Sequence, residues 1–266
     1  MKLYISADIE GVAGITAWDE ANKGGPTYLE FRELMTQEVV AACEGAMEAG
    51  ATEIWIKDAH GTGRNILVSQ LPECARIIRG WSGHPFSMVQ EIDESFAAVA
   101  FVGFHSRAGS DANPLAHTFT GKFARVTLNG TPASEFLFNV WAAALHRVPA
   151  VFVSGDEQLC LEAKEHVKHI CTAAVTRGVG PSTISVAPVL ARRRIREGVY
   201  AALRGDTARC RVTLPDRFVL EITYSTPVDA YRASWYPGME HPSPLVVRFE
   251  TEAYFEVLRA LRFVEA

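Results

Sequence analysis

Alternating strand and helix patterns predict an α/β protein: a largely parallel central sheet flanked by helices, with a smaller C-terminal α+β part. Three observations carry this expectation. The apolar runs Ala97–Phe104 and Ala150–Val153 lack the polar alternation of a half-exposed strand, which marks strands covered on both faces. Helical stretches of ten or more residues separate such strands along the chain. Gly178, Gly180, Pro181 and later Pro215 interrupt the pattern, so the chain divides into residues 1–185 and a smaller part, 186–266.

The elements follow in order. Strand 2–8 alternates Leu3, Ile5 and Ala7 with Tyr4, Ser6 and Asp8, and carrying that period to residue 10 sends Asp8 and Glu10 out on one face, one pleat apart. Helix 28–49, strand 53–58, a short strand near 75–79 and strand 97–104 come next. Asn129-Gly130 sets a hairpin, because both residues accept a positive φ. Ser134 is placed to cap helix 134–146. Strand 150–154, helix 156–168, strand 170–175, helix 188–204, strands 217–225 and 244–250 and a closing helix 251–262 complete the reading. There is no internal repeat and no low-complexity segment.

Composition bounds the function. With 266 residues, 48% of them hydrophobic, the chain can bury a substantial core. A formal charge of −5 without a long basic run argues against nucleic acid or a membrane surface as partner. The one basic cluster, Arg192-Arg193-Arg194 with Arg196, reads as a solvated helix face. Five scattered cysteines, odd in number and without a CxxC pair, suggest free thiols in a reducing compartment rather than a disulfide framework or a zinc ribbon. Asp8 and Glu10 interrupt the only early apolar stretch, and no run nears the ~18 apolar residues of a spanning helix. A cytoplasmic protein is expected.

In an open α/β sheet, ligands sit beyond the carboxyl ends of the strands, and here those positions are rich in polar residues. Asp8 and Glu10 follow the first strand, Asp58-Ala59-His60 the second and His105-Ser106-Arg107 the central one. His117 lies further on, and Glu135 opens a helix. Taken singly, each has a structural explanation: a strand-end histidine as a hydrogen-bonded loop residue, or Glu135 as complement to a helix dipole. Together, two imidazoles and three carboxylates make an oxygen/nitrogen ligand set for zinc or a similar divalent ion, and the absence of thiolate favours a catalytic site over a structural one. Five groups exceed the needs of one tetrahedral ion, so a bridged pair of metals is the economical reading. Residues 1–185 would then be the metal-binding catalytic part. His84 and His241 could border a pocket. Gly80-Trp81-Ser82-Gly83 lacks the spacing of a nucleophile elbow, and Gly61-Thr62-Gly63-Arg64 falls short of a phosphate loop.

Six stretches, in order, carry a resemblance to a known family: Ser6-Ala7-Asp8-Ile9-Glu10-Gly11, Lys57-Asp58-Ala59-His60, Gly103-Phe104-His105-Ser106-Arg107-Ala108, Ala116-His117-Thr118, Ser134-Glu135-Phe136-Leu137-Phe138-Asn139 and Ser154-Gly155-Asp156. The chain resembles the zinc-dependent DppA-type D-aminopeptidases, most densely from Tyr4 to about Asp156. The resemblance implies a metal-dependent aminopeptidase acting on short peptides or amides with an amino-terminal D-residue. It makes Asp8, Glu10, His60, His105 and Glu135 the ligands of two Zn2+ per subunit, or of another divalent metal, with Asp8 as bridge and His117 as the catalytic histidine. It also implies a homo-oligomer, a decamer of two pentamers. One departure is visible: the segment between His105 and His117 is a residue longer, at Ser110-Asp111-Ala112-Asn113, which bears on substrate shape. Two other readings of the residues stay open at this point. One is a different dinuclear hydrolase acting on another amide or a phosphoester; the other is a non-catalytic metal-binding assembly protein.

Overall fold

The structure, a computed structural model, describes residues 1–265; residue 266, the end of the expected C-terminal part, lies outside them. The elements in chain order are β1 (Lys2–Ala7), α1 (Trp18–Ala21), α2 (Tyr28–Glu48), β2 (Glu53–Asp58), β3 (Ala75–Ile78), β4 (Ala98–Phe104), β5 (Phe123–Leu128), β6 (Thr131–Pro132), α3 (Glu135–Leu145) and β7 (Ala150–Asp156). They continue with α4 (Glu157–His166), β8 (Cys171–Val179), β9 (Ser182–Ser185), α5 (Pro188–Arg204), β10 (Phe218–Tyr224), α6 (Pro227–Ala233), β11 (Met239–Ser243), β12 (Val246–Thr251) and α7 (Tyr254–Val264).

A seven-stranded sheet has the order β3-β2-β1-β4-β7-β8-β9 and is parallel except for β9, which runs antiparallel to β8. Its central strands β4 and β7 are buried along their whole length, as the apolar runs Ala98–Phe104 and Ala150–Val153 require. From β1 the chain builds outward to β2 and β3, then returns to lay β4 against the other side of β1. The strand order therefore reverses between β1 and β4. At such a switch point the connections leave in opposite directions and open a crevice beyond the carboxyl ends of the two strands.

The second sheet, β11-β12-β10-β5-β6, is antiparallel. The hairpin β5–β6 turns on Asn129 (φ 52°) and Gly130 (φ 79°), the paired positive φ of a tight hairpin turn that the sequence predicts. This sheet takes β5 and β6 from before residue 185 and β10 to β12 from after it. A continuous hydrophobic core runs from Leu3 and Phe101 through Phe136 and Phe138 to Tyr224 and Val257, and Tyr254 joins the two parts by donating to the Phe138 carbonyl at 2.8 Å.

The arginines of α5 are not simply solvated, as their sequence suggests. Arg192 donates to Gln37, Arg196 pairs with Glu48, and Arg194 reaches the Ala174 carbonyl. These bonds clasp α5 to α2 and to β8. Strands β9 and β11 and the short helices α1 and α6 are additions to the predicted elements; β9 and β11 are short, polar and mostly exposed, so no apolar alternation announces them. Among the described residues no helix is long and apolar enough to cross a membrane.

Candidate metal centre

Strand β1 ends at Ala7, so Asp8 and Glu10 do not share a pleat as the extended alternation predicts. The Asp8 N–H still bonds the Val102 carbonyl, but Val12 N–H folds back to the Ile9 carbonyl and Gly11 N–H bonds Gly103. Glu10 thus lies in a tight turn. A Cβ at Gly11 would stand 1.7 Å from the Phe104 carbonyl oxygen, and one at Gly155 would stand 1.9 Å from the same atom. Two glycines therefore admit the carbonyl that immediately precedes His105.

The other positions follow from the same crevice. His60 lies two residues beyond β2 and His105 directly beyond β4. Glu135 opens α3, whose first turn is capped by Ser134 accepting from Leu137 N–H at 3.3 Å. Asp8, Glu10, His60, His105 and Glu135 are all buried, and their side chains converge. His60 Nδ1 lies 3.3 Å from Asp8 Oδ1 and 3.1 Å from Glu10 Oε1, while His105 Nε2 lies 3.5 Å from Asp8 Oδ2 and 3.6 Å from Glu135 Oε2. Asp8 therefore presents one oxygen to each imidazole. Two compact groups of ligand atoms result, Asp8/Glu10/His60 and Asp8/His105/Glu135, with Asp8 common to both; a third, Glu10/His105/His117, overlaps them.

Hydrogen bonds outside the cluster fix which nitrogen faces it. His60 Nε2 donates to the Ala21 carbonyl of α1 at 3.0 Å, which leaves the Nδ1 lone pair toward the carboxylates. His105 Nδ1 donates to the Ser106 carbonyl at 2.9 Å, leaving Nε2 free. Ser106 is itself anchored: its N–H and Oγ donate to the Asp156 carboxylate at 2.6 and 2.5 Å. Glu135 Oε1 accepts from Phe119 N–H at 2.6 Å, a bond aimed by the left-handed backbone of Phe119 (φ 61°). His117 stacks on His105, ring centroids 4.4 Å apart and planes within 11°, with Nδ1 on the Leu115 carbonyl at 3.0 Å and Nε2 3.5 Å from Glu135 Oε1.

The electrostatics are those of a cluster built for more charge than its side chains supply. Burial and the Glu10 carboxylate beside it push the Asp8 carboxyl well above the ordinary range. Burial opposes ionisation of Glu10 too, but the facing His60 and His105 rings overcome it and hold Glu10 well below that range. Burial disfavours a charge on each ring, yet Glu10 and Asp8 raise His60 and Glu135 raises His105 well above the usual imidazole value. Burial likewise works against Glu135, and His105 prevails to lower it. Glu10 Oε2 and His105 Nε2 are buried with no hydrogen-bond partner among the described residues, a state that costs on the order of 1–3 kcal/mol per group. Divalent cations would coordinate both atoms and displace the protons that the rings otherwise hold. Oxygen and nitrogen donors without sulfur suit zinc or a comparable ion.

The cluster opens on a cavity of about 440 Å3 walled by Trp18, Trp81 and Phe119 and closed on another side by Arg262 and Glu265 from the end of α7. A larger groove, about 770 Å3, follows α2 and α5 and contains none of the cluster; its lining includes the side chains that hold those helices together. Sequence patterns do not single out Trp18, Arg262 or Glu265. The anchoring role of Asp156 had a signal, since an acidic residue directly before a helical stretch reads as a cap, and its Oδ1 does accept from Leu159 N–H. His84 and His241 do not line this cavity. Nor does the 110–113 segment, expected to shape the substrate pocket: Asn113 is buried and its Nδ2 donates to the Glu10 carbonyl at 3.0 Å, so this loop buttresses the Glu10 turn.

A cluster of carboxylates and imidazoles at the switch point of a parallel sheet, with a further histidine beside an open cavity, defines the class: metal-dependent hydrolases. The chain belongs to the M55 peptidase family, the D-aminopeptidases, whose model matches residues 1–263, and it is accordingly a metal-dependent aminopeptidase. It is 31% identical over 263 residues to a D-aminopeptidase of Bacillus subtilis (strain 168), covering 98% of this chain and 95% of that protein. Among solved structures, it matches one described as the Zn-dependent D-aminopeptidase DppA from Bacillus subtilis, a self-compartmentalizing protease. That match has a TM-score of 0.92 and 29% identity over 99% of this chain and 96% of the other.

Proposed function

We propose that this protein releases amino-terminal D-amino acids from short peptides or amides, using two divalent ions, zinc by preference, held by Asp8, Glu10, His60, His105 and Glu135. The observation that carries the reading is the pair of ligand groups sharing Asp8, whose two oxygens face different imidazoles. Two cations bound there would supply an acidified water and a polarised scissile carbonyl. His117 accepts a proton at Nε2 from the attacking water and returns it to the departing amine nitrogen as the C–N bond breaks, so the leaving group departs neutral. Its Nδ1–H bond to Leu115 keeps Nε2 available for that exchange. The aromatic walls and the end of α7 border the space the substrate would occupy.

The remaining expectations belong to the same proposal. Residues 1–185 carry the metal site, and 186–266 supply pocket wall and assembly surface, supported by Arg262 and Glu265 in the cavity and by the exposed Tyr231, Trp235 and Phe263. The assembly is a homo-oligomer, a decamer, in keeping with the solved relative described as self-compartmentalizing. A cytoplasmic setting fits five cysteines that are all free. The test is a panel of D- and L-aminoacyl amides, the corresponding dipeptides and a generic phosphoester, each with and without chelator. Chelator-sensitive hydrolysis of the D-series is the expected result. Turnover of the phosphoester alone, or peptide hydrolysis indifferent to chelation, would overturn it.

A further inference from the structure

Arg262, in the last turn of α7, is the one lysine or arginine lining the cavity among the described residues; the other charged groups there include Asp8, Glu10, Glu135 and Glu265. Away from the metal cluster, that guanidinium is the one permanently positive side chain that an anionic substrate group meets in this space, among the described residues. Arg262 Nη1 donates to Glu265 Oε1, three residues on. This contact occupies one of the five N–H groups of an arginine fork, and the fork matches a carboxylate bidentately. With the Arg262 side chain 35% exposed, solvent screens its pair with Glu265 at the end of α7. Glu265 therefore positions Arg262 without exhausting it.

The backbone around Arg262 carries a second mark. Ser87 (φ 44°) and Phe119 (φ 61°) line the same cavity and also border, with Arg262, an adjoining niche floored by Leu258 and Leu261. Left-handed backbone at non-glycine residues is costly and collects where a wall must be shaped for a ligand.

We propose that Arg262 receives the free C-terminal carboxylate of a di- or tripeptide whose scissile bond lies at the Asp8–Glu135 cluster, and so sets the preferred substrate length. The assignment rests on the aminopeptidase reading above. In a cavity of about 440 Å3, a chain that advances at most about 3.3–3.6 Å per residue meets the wall within about two or three residues of the cluster. Longer peptides and C-terminal amides present no carboxylate there.

The experiment compares a D-dipeptide with its carboxamide on metal-loaded wild type, R262Q and R262K, with circular dichroism to verify folding. A second arm measures, by calorimetry, the binding of the reduced-bond analogues of both compounds. Wild type should favour the free acid in kcat/KM, and R262Q should shrink that preference by about tenfold or more, chiefly through KM, the loss expected for a hydrogen bond between charged groups. R262K should keep part of it. The same ratio should fall in the binding constants. An acid-to-amide ratio unchanged in R262Q, or no preference in wild type, overturns the assignment. Loaded wild type that cleaves neither dipeptide overturns the aminopeptidase reading instead, and calorimetry still decides the role of Arg262.

Discussion

His117 lies face to face with His105 and touches the edge of Trp18, ring centroids 5.4 Å apart, so its ring is held while its Nε2 stays turned toward Glu135. That placement suits proton exchange, and the five candidate ligands do not include it. Replacing His117 by Ala should lower kcat on the order of 10²–10⁴-fold, the usual worth of a positioned acid/base. Metal content by elemental analysis should stay at the wild-type level. Near-normal turnover with full metal occupancy would remove the role. At this scale the sequence was informative about chemistry and less so about geometry: residue types beyond the strand ends pointed to the five candidate ligands. Asp8 and Glu10 nevertheless meet through a turn that begins at Asp8, and not through a pleat. Arg262 and Glu265 were illegible because an Arg/Glu pair three residues apart on a helix is an ordinary surface pattern until the tertiary fold turns it toward a cavity.

The element that sets the site is the end of β4, where the Phe104 carbonyl enters between Gly11 and Gly155. Neither glycine has room for a side chain, and the obstacle is backbone, which cannot rotate aside. Changing Gly11 to Ala should therefore destabilise the protein by about 3 kcal/mol or more, in the range of severe core lesions. Any folded fraction should bind metal more weakly, because the Glu10 turn and the start of the His105 loop would be forced apart. A melting curve and a zinc titration check both; wild-type values would show that the turn relaxes freely. The main strands and helices are readable because β4 and the Ala150–Val153 half of β7 are unbroken apolar runs and because Asn129-Gly130 specifies its turn. Strands β9 and β11 are not, since their pairing is decided by neighbours and not by their own sequences.

Across the whole molecule, Glu38 couples stability to pH. This α2 residue is buried, its Oε1 accepting from Ala13 N–H at 3.0 Å and its Oε2 without a hydrogen-bond partner among the described residues. Burial pushes its carboxyl up to about 7 from an ordinary 4.5. Between those values the folded state binds more protons than the unfolded one, so stability from this group is intact below pH ~4.5 and is lost as pH rises through ~7. The loss approaches about 3 kcal/mol. E38Q keeps the acceptor for Ala13 and carries no charge, so its advantage over wild type should be near zero at pH 4 and grow toward that figure by pH 8, measured by denaturant unfolding. An advantage independent of pH would exclude this account.

The five groups that converge on the cavity come from positions 8, 10, 60, 105 and 135, on three connections of one sheet. During synthesis at ~5–20 residues per second, Asp8 leaves the ribosome roughly 6–25 seconds before Glu135 does. A chain cut short before α3 lacks one of the five and cannot assemble the full set. The five candidate ligands are thus all present only once about half of the chain has been made, and a fragment that stops short of Glu135 should bind zinc more weakly than the full chain.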